Sequence, residues 1–288
     1  MARRREDYTF DAAALPWLDR PDAQAAIERK RRAGEISAQD AVWLEHFCRE
    51  GYAVFERVLT SEQCEAINAD VELVFQTNQH LPHDVLKEKF INVYVHSEAV
   101  RRVFAHPGML ARLDLILGMR AVPHQTLNLP LSSQQAAHSD EILMTTHPAG
   151  YTLAVWYALE DITPDCGPLM VFPKSHRLPY VSAREVGIPR GVSEAECARI
   201  YDERYYALIA RTIELRGLKP WTFLPRRGDA LVWHSNLLHG AHPTTRGGAT
   251  RKSMIAHYFG EEAEHYSDLF QRPCLSPKLR DESTGAAG

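Results

Sequence analysis

His138-Ser139-Asp140, followed 101 residues after His138 by His239, supplies two imidazoles and a carboxylate. Two histidines and one carboxylate can hold one face of a non-haem Fe(II) and leave three positions open. Three open positions fit a bidentate 2-oxo acid plus O2. A structural zinc site is normally closed by four ligands, and no fourth candidate stands at motif spacing. Arg251 and Ser253 come next. A guanidinium grips a carboxylate through paired hydrogen bonds, and a hydroxyl can add one more. The chemistry these residues would support is O2 activation on Fe(II), with 2-oxoglutarate as cosubstrate.

Each piece has a plainer reading. His96-Ser97-Glu98 is a decoy, because Ser97 reads as the N-cap of a helix through Ala99, Val100, Val103 and Phe104. His234, His239, His242 and His257 compete for the third ligand. His239 is favoured because Gly240 lets the backbone pass close to a metal site. Arg251 and Ser253 share one face of a strand with Ile255 and His257 by period-two alternation. That face meets either a ligand or water.

The positioning elements begin with helices. Ser37 leads a segment with Ala41, Leu44, Phe47 and Cys48 at helical spacing, and Thr60 to Gln63 resembles a capping box. Tyr52 to Phe55 reads as a short strand between them. From about residue 119 the pattern turns to short strands. Tyr151, Leu153, Val155, Tyr157 and Leu159 form one face of a strand, with Thr152, Ala154, Trp156 and Ala158 on the other. Pro168 to Phe172, Ala230 to Trp233 and Arg251 to Phe259 complete a set expected to form a sandwich or jelly roll. Ser193 to Glu196 is expected to cap an interrupting helix with Cys197, Tyr201, Tyr205, Leu208, Thr212 and Leu215 on one side. Such an insertion is either a lid or a helix packed outside the barrel. Tyr205, Tyr206, Arg204 and Arg211 are its candidate lid contacts.

Composition narrows the class. Of 288 residues, 45% are apolar and 24% charged, as in an ordinary globular protein. A net charge of −4 gives no argument for nucleic acid, and Arg3-Arg4-Arg5 is too short for a binding arm. No apolar run reaches membrane-spanning length. Five scattered cysteines without CxxC spacing favour reduced thiols in a cytoplasm.

The ordered motifs resemble the phytanoyl-CoA dioxygenase family of Fe(II)/2-oxoglutarate oxygenases. Phe47 to Val54 resembles its helix-Gly-Tyr-strand entry, and Gly167 to His176 its Gly-x-Leu…Pro-Gly-Ser-His segment, with Lys174 in place of the glycine. His138-x-Asp140, Gly228-Asp229, His239-Gly240 and Arg251 follow in the family's order across roughly residues 40 to 260. The resemblance implies a mainly β fold with flanking helices and a double-stranded β-helix (jelly-roll, cupin-like) core. It divides one oxygenase domain into a helical N-terminal support over about 1–118, a core over 119–260 with a helical insertion at 179–224, and a tail at 261–288. It implies His138, Asp140 and His239 as metal ligands and Arg251, Ser253, Trp156 and Gln125 as cosubstrate contacts. Fe(II), 2-oxoglutarate and O2 would be the cofactors. The expected reaction hydroxylates an unactivated C–H bond of a small or medium-sized metabolite, with 2-oxoglutarate converted to succinate and CO2. Halogenases of the superfamily replace the carboxylate by a small residue, so Asp140 points to hydroxylation. A non-catalytic jelly-roll binding protein and a cupin-type metal-dependent isomerase are the competing readings.

Overall fold

Alternation along Thr152–Ala158 decides the architecture, because all seven residues of this strand are buried. A strand buried on both faces must lie between two layers. Leu153, Val155, Tyr157 and Leu159 join one apolar cluster, and Ala154, Trp156 and Ala158 another. The split is the one expected from period two. The computed structural model describes residues 15–77, 83–84 and 89–273. Arg3-Arg4-Arg5 and the polar tail beyond Leu275 lie outside them.

Thr152–Ala158 sits in a seven-stranded antiparallel sheet. Its order is Tyr52–Phe55, Ala230–His234, Thr152–Ala158, Ser253–Gly260, Ala121–Leu129, Lys89–Ile91 and His83–Asp84. The first third of the chain therefore supplies three strands, two more than its sequence suggests. Lys89–Ile91 is only three residues long, too short to show alternation.

Helices cover the outer face. Ala38–Glu50 starts with a reciprocal capping box between Ser37 and Asp40 and stops at Gly51 in the left-handed region. Ser61–Thr77 is capped by Thr60 and Gln63, which exchange backbone-to-side-chain hydrogen bonds. Ser97 caps Glu98–Phe104, which removes His96 from the metal candidates. Leu44, Phe47, Ile67, Val100 and Leu113 pack on Val155, Tyr157, Met254 and Tyr258 of the sheet. Each fully buried side chain of this size contributes about 1.5–3 kcal/mol.

The inner face meets a three-stranded sheet of His239–Ala241, Leu169–Val171 and Trp221–Thr222. Ala154, Trp156, Leu231 and Trp233 share one core with Leu169, Val171 and Phe223. Trp221–Thr222 thus belongs to the smaller sheet, so the insertion is shorter than the expected 179–224. A third sheet joins Thr145–His147, Glu264–Ser267 and Arg272–Pro273. No helix among the described residues is long and apolar enough to cross a membrane.

The insertion differs from its expected helix in one respect. Glu194–Ile200 and Tyr206–Arg216 are joined by a π-turn at Tyr201–Tyr205. A wider turn keeps residues four apart in line where an α-helix would drift. The buried face therefore runs Cys197, Tyr201, Tyr205, Ile209, and Leu215 is 73% exposed.

Candidate metal centre

His138 and His239 face each other through paired backbone bonds. Each amide N–H donates to the other's carbonyl, at 2.9 and 2.8 Å. This bridge extends the smaller sheet and brings the two rings to 4.3 Å between centroids. The Asp140 N–H donates to the Ser235 carbonyl at 2.9 Å, which ties the carboxylate to the end of the Ala230–His234 strand. The ligand atoms of His138, Asp140 and His239 all lie within 4.8 Å of one another. They are the one such group of three among the described residues.

The tautomers suit a metal. Nδ1–H of His138 donates to the Ala136 carbonyl at 2.9 Å, and Nδ1–H of His239 to the Leu237 carbonyl at 2.9 Å. Each bond leaves Nε2 as the lone-pair atom, the usual way a ligating imidazole is oriented. Those Nε2 atoms are 3.9 and 3.6 Å from Asp140 Oδ1. Burial, with His239 next to it, pushes the His138 pKa down to about 3, so the ring is neutral. Burial works against a charge on Asp140, but His239 and His257 outweigh it and hold the carboxyl well below the usual range.

Gly240 has the role its position suggests. A Cβ there would come within 2.9 Å of the Gln135 carbonyl oxygen and 3.1 Å of the Ala137 nitrogen. That backbone leads directly into His138. The competing histidines are engaged elsewhere or stand beside the triad. His234 pairs with Asp19 at 3.1 Å, His242 bonds Thr222 at 2.9 Å, and His257 Nε2 lies 3.7 Å from Asp140 Oδ2.

The expected cosubstrate contacts lie along the inner face, where Ser253 is paired in register with Ala158 beside Trp156. Arg251 precedes its strand and is 2% exposed. Its Nη1 donates to the Gly167 carbonyl at 3.3 Å, and its guanidinium lies 5.7 Å from the Trp156 ring centre. Burial lowers its pKa to about 10, which leaves it charged near neutrality. Arg251 Nε, Ser253 Oγ and Trp156 Nε1 are all buried without a hydrogen-bond partner. Gln125 is paired in register with His257 across the sheet and therefore shares its face.

Two contacts had no counterpart in the sequence reading. The Trp233 indole N–H donates to Asp140 Oδ2 at 2.9 Å. The Tyr205 hydroxyl accepts the Ser139 N–H at 2.9 Å and bonds the Ser139 hydroxyl at 3.1 Å. Tyr206 accepts a bond from Gln135 at 3.1 Å, whereas Arg204 and Arg211 are exposed. Sequence alternation does put Trp233 on the inner face with Leu231. Nothing local announces a bond across 93 residues.

The chain is similar to several known proteins. The ectoine dioxygenase of Nocardia farcinica is 27% identical over 72% of this chain and 73% of its own. Among solved structures, the non-heme alpha ketoglutarate dependent carbocyclase SnoK from nogalamycin biosynthesis superposes with a TM-score of 0.61 at 16% identity, over 86% and 96% of the two chains. EctD from S. alaskensis, solved with 2-oxoglutarate and 5-hydroxyectoine, gives 0.57 at 19% identity, over 84% and 86%. These likenesses show a shared fold, mainly β with helices. Residues 47–253 match the phytanoyl-CoA dioxygenase (PhyH) family. With that match spanning most of the chain and both histidines and the carboxylate inside it, this protein belongs to the phytanoyl-CoA dioxygenase family, whose members are non-haem oxygenases that use Fe(II) and 2-oxoglutarate.

Proposed function

We propose that this protein is a dioxygenase that hydroxylates an unactivated C–H bond of a small or medium-sized metabolite. We read its two facing sheets as the halves of a double-stranded β-helix. In that reading the chain is one domain with its core at 119–260, completed by the strands Tyr52–Phe55 and Lys89–Ile91 of the larger sheet and flanked by the small sheet that includes Glu264–Ser267. The observation that carries the reading is the unpartnered polar set at Arg251, Ser253 and Trp156. A buried guanidinium without a carboxylate costs several kcal/mol. It makes sense as one half of a pair completed by a dicarboxylate.

The residues present fit both groups. His138, Asp140 and His239 would hold Fe(II) through two imidazoles and one carboxylate, a donor set that leaves positions open. Arg251 would bind the remote carboxylate of 2-oxoglutarate, with Ser253 adding a bond and Trp156 closing the pocket wall. Gln125, on the His257 face, would contact the cosubstrate from the neighbouring strand. When bound, Fe(II) and 2-oxoglutarate supply the oxidising power: O2 is reduced as 2-oxoglutarate becomes succinate and CO2, and one oxygen atom enters the substrate C–H bond.

The protein's part is to orient and exclude water. The triad and Arg251 lie between two packed sheets, where water is scarce and electrostatic contacts are strong. Asp140 fills the place that must be vacated for a halide to bind, which supports hydroxylation over halogenation. Four buried free cysteines, Cys48, Cys64, Cys166 and Cys197, are in keeping with a cytoplasmic protein.

The test is anaerobic absorption spectroscopy of the protein with Fe(II), before and after adding 2-oxoglutarate. A visible charge-transfer band should appear only with both, and weaken in Asp140→Ala and Arg251→Ala. No band in protein shown to hold iron would overturn the reading and favour the binding-protein or isomerase alternatives.

A further inference from the structure

The two oxygens of Asp140 stand in different surroundings. Oδ1 lies 3.6 Å from His239 Nε2 and 3.9 Å from His138 Nε2. Oδ2 is turned away, accepting the Trp233 indole N–H at 2.9 Å with His257 Nε2 3.7 Å off. Trp233 is 1% exposed, so its indole bonds the carboxylate rather than water. Its ring also packs against the His239 ring at 4.6 Å. One side chain thus touches two members of the triad.

We propose that Trp233 is a positioning residue for the metal: its N–H holds Oδ2 so that Asp140 presents Oδ1 alone. The proposal rests on the triad being the metal centre. The torsion that turns a carboxylate about its Cβ–Cγ bond is broad and two-fold. Packing alone fixes it poorly, and a directional donor fixes it well. The consequence is chemical. A carboxylate free to offer both oxygens can chelate, and a chelating Asp140 would take a position that the 2-oxo acid and O2 need. Trp233 keeps the protein's share of the coordination sphere at three donors. Hydrogen-bond partners of metal ligands typically change metal affinity by about 10–100-fold when removed.

Trp233→Phe removes the donor and keeps most of the ring. The probe is Co(II) alone, added to the metal-free full chain, with affinity and the visible d–d spectrum as readouts. Neither needs turnover or a known substrate. Wild type should bind one equivalent. Trp233→Phe should bind at least about tenfold more weakly, with an altered d–d band reporting a changed donor set. Co(II) affinity within threefold of wild type with a superimposable band would overturn the proposal. Failure of wild type to bind Co(II) would instead overturn the metal-centre reading, and the proposal with it.

Should Trp233→Phe not fold, the indole N–H spectrum of 15N-labelled wild type decides the matter. One of the five tryptophan resonances should lie downfield and move upfield in Asp140→Ala. If no indole proton responds to Asp140→Ala, the bond is absent and the proposal fails.

Discussion

Replacing Arg251 by methionine should have opposite effects on the free protein and on cosubstrate binding. The free protein buries the guanidinium with one long bond, to Gly167 at 3.3 Å, and leaves Nε unpartnered. Exchange of a poorly compensated buried charge for an apolar side chain of similar reach is worth about 1–4 kcal/mol of stability. For 288 residues the unfolding entropy near Tm is about 0.6 kcal/mol per degree, so the melting temperature should rise by roughly 2–7 °C. Cosubstrate binding should move the other way. Two charge-assisted bonds to a carboxylate, at about 1.5–3 kcal/mol each, correspond to a loss of roughly 10²–10⁴ in 2-oxoglutarate affinity.

Both halves can be read from one set of melts. Metal-loaded protein is heated anaerobically at increasing 2-oxoglutarate, since a ligand at free concentration L that binds only the folded state stabilises it by RT ln(1 + L/Kd) and so raises Tm with concentration. Wild type should start lower and climb, whereas Arg251→Met should start higher and stay flat. A variant that melts below wild type without 2-oxoglutarate, yet climbs as steeply with it, would refute the reasoning. Arg251 would then be an internal brace whose partner is the protein itself.

Gly240→Ala should place a methyl against the backbone of residues 135 and 137. Overpacking of this kind costs about 1–3 kcal/mol, and a displaced His138 should weaken Co(II) binding in a direct titration. Tyr205→Phe leaves the Ser139 N–H without its acceptor, at a cost of about 1–3 kcal/mol. Denaturant melts would show it, and an unchanged midpoint would deny the bond any importance. Lys174 holds a φ of +71° where the family's motif has glycine, so Lys174→Gly should stabilise by about 0.5–1 kcal/mol, the left-handed strain relieved less the greater freedom of unfolded glycine. Burial pushes the Cys64 thiol up to about 11, so at pH 8 roughly one molecule in a thousand carries the reactive thiolate. Iodoacetamide with mass spectrometry should leave Cys64 unlabelled in native protein.

Local patterns were the legible part of this chain. Ser37, Thr60, Ser97 and Ser193 cap helices where the sequence places them, because a cap involves residues only three apart. The division of Thr152–Ala158 into two faces was equally readable, since alternation assigns each side chain to a layer without knowing what the layer contains. The insertion's inner face was misplaced after Tyr205, because a π-turn adds a residue that no 3.6-residue period reveals. Gly240 already favoured His239 over His242 and His257, but the reciprocal backbone bonds that set it against His138 were not legible. Those depend on two segments 101 residues apart in the chain meeting in the fold. The Trp233 bond to Asp140 was illegible for the same reason.

The insertion is tied to the backbone of the triad itself. A lid moves over a site that is complete without it, but Tyr205 satisfies the backbone N–H between His138 and Asp140. Its hydroxyl is held in turn by a ring stack on Tyr201 at 4.5 Å, and the π-turn is what keeps both rings on the buried face. Opening this element would strand the Ser139 N–H and loosen the segment that carries two members of the triad. Movement of Tyr201–Tyr205 would therefore register at the metal as well as at the substrate. Burial, followed by the neighbouring Tyr205 and Tyr206, pushes the Tyr201 phenol up. Substitutions in 201–205 should be judged by metal affinity before any change in turnover is ascribed to substrate fit.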